Sequence, residues 1–135
     1  VLSEANGLGG QPVWTSYNLA TRPGPRRNGS FIYDAATNRI TLTGGDQVCG
    51  TVYADAWQLA HANATTGTPA WTQLAPAGTA PPGLTSTFGA HDQAGQALVH
   101  IGGYTSSGPH VGVWRLSGTD GTAPSWTSIA PAGTG

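Results

Sequence analysis

The chain has 135 residues, a length suited to one ordinary domain, and only 8% of them are charged, against roughly 25% in a typical soluble domain. Five basic and six acidic residues leave a net charge of -1, so there is no electrostatic footprint for DNA, RNA or an anionic membrane. No run approaches the roughly 18 apolar residues of a membrane helix, and neither a nucleic-acid partner nor membrane insertion is expected.

The first predicted element is a hairpin over 1–4 and 12–17, whose second arm carries Trp14. A first strand, a, follows near 29–33, and the segment DAATNR supplies Asp and Asn for a tight turn. RITLT over 39–43 alternates and is rich in β-branched residues, which predicts strand b. Gly44-Gly45 comes next, then strand c over 53–59 and strand d over 70–75, centred on Trp71-Thr72. The same order returns: a near 86–91, b over 97–101, Gly102-Gly103, c over 111–117 and d over 125–130. Helix periodicity and capping boxes are absent, so the expected class is all-β.

The recurrence has a nearly constant period. Trp14, Trp71 and Trp126 stand 57 and 55 residues apart. The diglycines and the pair Tyr33-Asp34/His91-Asp92 repeat at 58, and Trp57-Gln58-Leu59/Trp114-Arg115-Leu116 at 57. Residues 1–14 align without a gap on 58–71. The frame is therefore two units, 1–57 and 58–114, and a partial third, 115–135. In this frame APAGTAPPG, after Trp71, carries the chain from the last strand of one unit to the first of the next.

Four strands per unit, a diglycine closing strand b and a Trp on strand c resemble the kelch repeat of β-propellers. The resemblance covers essentially the whole chain. Its most specific parts are Gly44-Gly45…Tyr53…Trp57 and Gly102-Gly103…Trp114. Arg26, Tyr33, Asp34, Asp55 and Trp57 match a bacterial-type variant of the motif, with Gly29 where that variant has His. The second unit departs further: Leu84, Thr87, His91, His110 and Gly112 replace the Arg, His, Tyr, aromatic and Asp. The resemblance implies propeller blades of four antiparallel strands, two complete and preceded by an extra hairpin, in an incomplete ring. Propellers close with about 4–8 blades, so either the chain is part of a longer propeller or several copies associate. Without an initiator methionine or a signal peptide, it reads as a processed product or a piece of a longer protein.

Chemistry-bearing residues are sparse. His61, His91, His100 and His110 form no metal-binding or protease pattern, and His91 and His100 are expected as packed strand positions. Cys49 is the only cysteine, which excludes an internal disulfide; a half-buried side chain is expected. Some kelch-type propellers are copper-radical oxidases that act on sugar alcohols, with two tyrosines, two histidines and a Tyr–Cys crosslink. Cys49 with Tyr33 or Tyr53 suggests such a crosslink, but the histidine ligands have no matching positions. No nucleophile elbow, phosphate loop or paired-carboxylate motif occurs. No enzyme activity and no cofactor or metal are expected.

With strand order a-b-c-d, the d–a and b–c loops share one face. That face would carry Arg22, Arg26, Arg27, Asp46, Gln47, Tyr104 and His110, aromatic, amide and charged groups suited to sugars or peptides. Asn28-Gly29-Ser30 and Asn63-Ala64-Thr65 match the glycosylation sequon. The expected function is a non-enzymatic, extracellular or cell-surface binding or scaffold module for protein or carbohydrate. One alternative is a structural subunit that self-assembles into a ring or filament through open blade edges. Another is part of a propeller enzyme acting on sugars.

Overall fold

A computed structural model describes residues 1–4, 8–48 and 50–130. The expectations for Cys49 and for the end of the third repeat copy, 131–135, lie outside the described residues. The described chain is all-β, with no α-helix. In chain order the strands are β1 (Leu2–Ser3), β2 (Val13–Trp14), β3 (Ser30–Asp34), β4 (Arg39–Thr43), β5 (Ala56–Ala60), β6 (Ala70–Leu74), β7 (Ala77–Gly78), β8 (Phe88–Asp92), β9 (Ala97–Ile101), β10 (Tyr104–Thr105), β11 (Gly108–Pro109), β12 (Val113–Ser117) and β13 (Ser125–Ile129).

They form several sheets, none closed. The first large sheet has the order β3-β4-β5-β6 and the second β7-β13-β12-β9-β8, with β1-β2 and β10-β11 as separate hairpins. Strands β3 to β6 pair antiparallel in sequence, as do β8, β9, β12 and β13. The alternating segments locate β4 and β9 at the residues expected. The c strands begin later than expected because their leading residues pair elsewhere. Tyr53 donates its N–H to Gly45 O at 2.8 Å and accepts from Leu84 N at 3.2 Å, and Gly112 O accepts from Gly102 N at 2.9 Å. Short alternation predicts none of β7, β10 and β11. β7 lies in the segment that leaves the first sheet, yet pairs parallel with β13 of the second, so the connection clips the outer edge of the sheet it is about to build.

The two large sheets pack on each other. Ile32 and Ala56 of the first join Leu98, Trp114, Leu116 and Trp126 of the second, with Leu84 from the segment that leads into it, in one core. Leu98 and Leu116 are completely buried, each worth about 1.5–3 kcal/mol of transfer free energy. Polar bonds cross the same interface. Ser30 Oγ lies 2.7 Å from Thr87 Oγ1, Thr43 Oγ1 lies 3.2 Å from His100 Nδ1, and Gln58 Nε2 donates to Thr119 O at 3.1 Å. The diglycine after β4 belongs to this junction. Gly44 and Gly45 have φ of 65° and 92°, a left-handed conformation open to glycine. A Cβ on them would stand 2.5 Å from Leu84 O and 2.6 Å from Arg27 O. The close approach lets Gly45 N donate to Leu84 O at 2.8 Å, tying one sheet to the segment that leads into the other.

Candidate functional site

The loops at one end of the sheets lie across one another as a short ladder. Arg27 and Asp46 exchange both backbone hydrogen bonds at 3.0 Å, and Asp46 also pairs with Val52. One repeat later, Thr85 and Tyr104 exchange theirs at 2.9 and 2.8 Å. Asp46 joins the two ladders: its carboxylate accepts from Arg27 Nε at 3.1 Å, from Asn28 Nδ2 at 3.2 Å and from Thr85 Oγ1. Only 8% of Asp46 is exposed. The Thr85 hydroxyl, aided by Arg27 and Asn28, holds its carboxyl below the ordinary value despite burial.

Above this carboxylate lies an open cleft of about 440 Å³, lined by Pro25, Arg26, Arg27, Asp46, Gln47 and Val48. Four of the seven residues expected on the loop face line it. Arg27 and Gln47 are exposed, and among the described residues Arg27 is engaged by its Nε and backbone alone. The other three stand outside the cleft. Tyr104, 52% exposed, is linked to it through Thr85. His110 donates its N–H to Gly103 O at 2.9 Å and stacks on Trp114 with ring centroids 5.3 Å apart. Arg22 is exposed on the segment between β2 and β3.

Arg26 has a different role from its neighbours. Its side chain is only 5% exposed. The guanidinium grips Asp55 through two bonds, of 2.5 and 2.9 Å, donates to Gly44 O at 3.0 Å and lies 4.0 Å from the centroid of the Tyr53 ring. Trp57 Nε1 donates to the same carboxylate at 2.7 Å. Burial pushes the Asp55 carboxyl up, but these hydrogen bonds and the Arg26 charge outweigh it and hold it low. The network braces the floor of the cleft and leaves Arg27 and Gln47 as its polar groups open to solvent.

Reading loop residues one at a time misses Asn28, Thr85 and Val48. The repeat frame contains a signal for Thr85, which stands 58 residues after Arg27. Asn28, the first sequon asparagine, donates to Asp46, and its Ser30 is buried and bonded to Thr87. Asn63, the second, lies in an exposed loop, where its Oδ1 accepts from Thr65 N at 3.0 Å and Thr65 Oγ1 at 2.7 Å. Among the described residues no group of three or more His, Cys, Asp and Glu gathers at metal-binding distances, and no helix is long and apolar enough to cross a membrane. No protein-family model matches the chain, and no curated protein sequence matches it.

Proposed function

We propose that this chain is a stretch of kelch-type β-propeller, its two large sheets acting as blades, and that it serves outside the cell or at its surface as a non-enzymatic binding module. The loop end around Arg27, Asp46 and Gln47 takes the ligand, a carbohydrate first and a protein loop second. The reading rests on one observation: a shallow polar cleft whose floor is immobilised by the Arg26–Asp55 pair and whose rim offers a guanidinium and an amide. Polar donors at the rim of a rigid scaffold suit hydroxyl- and carbonyl-bearing ligands. Asp46, already accepting three side-chain hydrogen bonds, positions Arg27 rather than meeting the ligand.

The test is a glycan array and an affinity capture with the purified chain, each repeated with Arg27→Ala and Gln47→Ala. Binding that falls at least tenfold in both variants, with melting unchanged, supports the reading. Blank screens with the unaltered chain, or binding indifferent to both substitutions, count against it.

A further inference from the structure

The first large sheet buries a side rich in polar residues and leaves aromatic residues of its other side exposed. Ser30, Asp34, Thr41, Thr43 and Gln58 are buried, while Phe31 and Tyr33 are 57% and 43% exposed. By register Phe31 and Leu42 share a row of that open face, and Tyr33 and Ile40 share the next. The second sheet has an open apolar row of its own: Phe88, Ile101, Val113 and Ile129, with Phe88 69% and Ile101 44% exposed. Contiguous apolar faces of this kind mark interaction surfaces.

The repeat relates these two faces to the interface already present. Moving by one period of 58, Phe31 and Leu42 of the first open face take the places of Gly89 and His100, which the second sheet turns inward. Phe88 and Ile101 of the second open face take the places of Ser30 and Thr43, which the first sheet turns inward. The two open faces are thus the two halves of one sheet–sheet contact, displaced by one unit. Their chemistry is matched as well. The internal contact bonds Ser30 to Thr87 and Thr43 to His100. The displaced pairs are Phe88 with Gly29 and Ile101 with Leu42: a large side chain against none, and apolar against apolar.

We propose that the two faces dock in trans, a second copy of this chain setting Phe88, Ile101, Val113 and Ile129 against Phe31, Leu42 and Tyr33 of the first, head to tail. Such a contact is heterologous and leaves one face of each kind free for another copy. It differs from the internal contact in spacing. Ser30 approaches Gly89 so closely that a Cβ there would stand 2.8 Å from it, whereas the corresponding residues between copies are two phenylalanines, which hold the inner strands further apart. The hairpin β1–β2 stands at the outer end of the first sheet's open face, with an open cleft of about 440 Å³ lined by Trp14 and Leu59 among others. Trp14 is 78% exposed, and a docking copy displaces the hairpin from this end of the face. This association is independent of the ligand cleft.

Light scattering over a concentration series tests the proposal, using the unaltered chain, Phe31→Asp and Phe88→Asp. Each substitution disables one face, and circular dichroism checks that both variants fold. The expected result is a mass that rises with concentration for the unaltered chain, monomers for either variant alone, and a dimer when the two variants are mixed in equal amounts. Tyr33→Asp and Ile101→Asp provide the same readout if either phenylalanine variant misfolds. A monomeric unaltered chain, association blocked by only one of the two substitutions, or a mixture that stays monomeric overturns the proposal.

Discussion

The two large sheets solve one structural problem in two ways. In the first, the positions around the loop end hold Arg26, Tyr53, Asp55 and Trp57, joined by a two-bond ion pair, a cation–π contact and an indole hydrogen bond. In the second, the corresponding residues are Leu84, His110, Gly112 and Trp114. Leu84 is 1% exposed and packs in the core, and the His110 ring lies on Trp114. Gly112 is part of the same exchange, because a Cβ there would stand 2.4 Å from the Trp114 ring. A buried ion pair is costly to desolvate and costly to break by halves, whereas replacing the whole set with apolar groups is tolerated. The scaffold thus asks this corner for filled space and satisfied polar groups, and either an ionic or an apolar set provides them.

The largest expected effect comes from a pair that looks identical in sequence. Trp71 and Trp126 occupy the same repeat position, but Trp126 is 4% exposed in the sheet–sheet core while Trp71, on the first sheet's open face, is only partly buried. Trp126→Ala should lower stability by about 3–5 kcal/mol, measured by urea unfolding. Trp71→Ala should cost less than half of that, and equal losses would show that the two sheets are not inequivalent after all. Next comes the ionic corner. Arg26→Leu alone strands a mostly buried carboxylate and should cost about 3 kcal/mol. Adding Asp55→Gly, which completes the second sheet's solution, should recover part of the loss, and the double-mutant cycle measures the coupling.

A third difference is titratable. His100 occupies the strand position held by Leu42 in the first sheet. It is 1% exposed, and among the described residues its Nε2 has no hydrogen-bond partner. Burial lowers its pKa from 6.5 to about 4. The unfolded chain therefore binds a proton there more readily than the folded one. The stability contributed by the neutral ring is complete above 6.5 and declines as the pH falls towards 4, by an amount on the order of 2–3 kcal/mol. The carboxylates held below 3.8, such as Asp34 and Asp55, act mainly at lower pH, so His100→Leu isolates the contribution of His100. Thermal melts from pH 7 to 4 should show it, and His100→Leu should flatten it. The smallest effect is expected at Phe31→Ser, where an exposed aromatic leaves monomer stability within about 0.5 kcal/mol; a much larger loss would mean that this face is packed within the monomer.

Much of the fold is legible before any coordinates. Alternation over RITLT and ALVHI places β4 and β9, and the diglycines mark where those strands must end. The loop cleft is legible in part, because the chain order of four strands puts Arg26, Arg27, Asp46 and Gln47 at one end. What alternation hides is the direction of each face. SFIYD reads equally as Phe31 and Tyr33 inward or outward, and the aromatic reading of a core is the wrong one for β3. Arg26 and Arg27 are likewise adjacent and chemically the same, yet one is enclosed by Asp55 and Tyr53 and the other is open.

The eight five-residue strands and the period are readable in the amino-acid order, since these depend on local backbone preference, turn residues and spacing along the chain, whereas the short β7, β10 and β11 are not. Packing sets which side of each sheet is covered, which tryptophan of a repeated pair is buried and which arginine is spent on structure. Those outcomes depend on what stands opposite, and a repeated sequence puts the same residue opposite different neighbours.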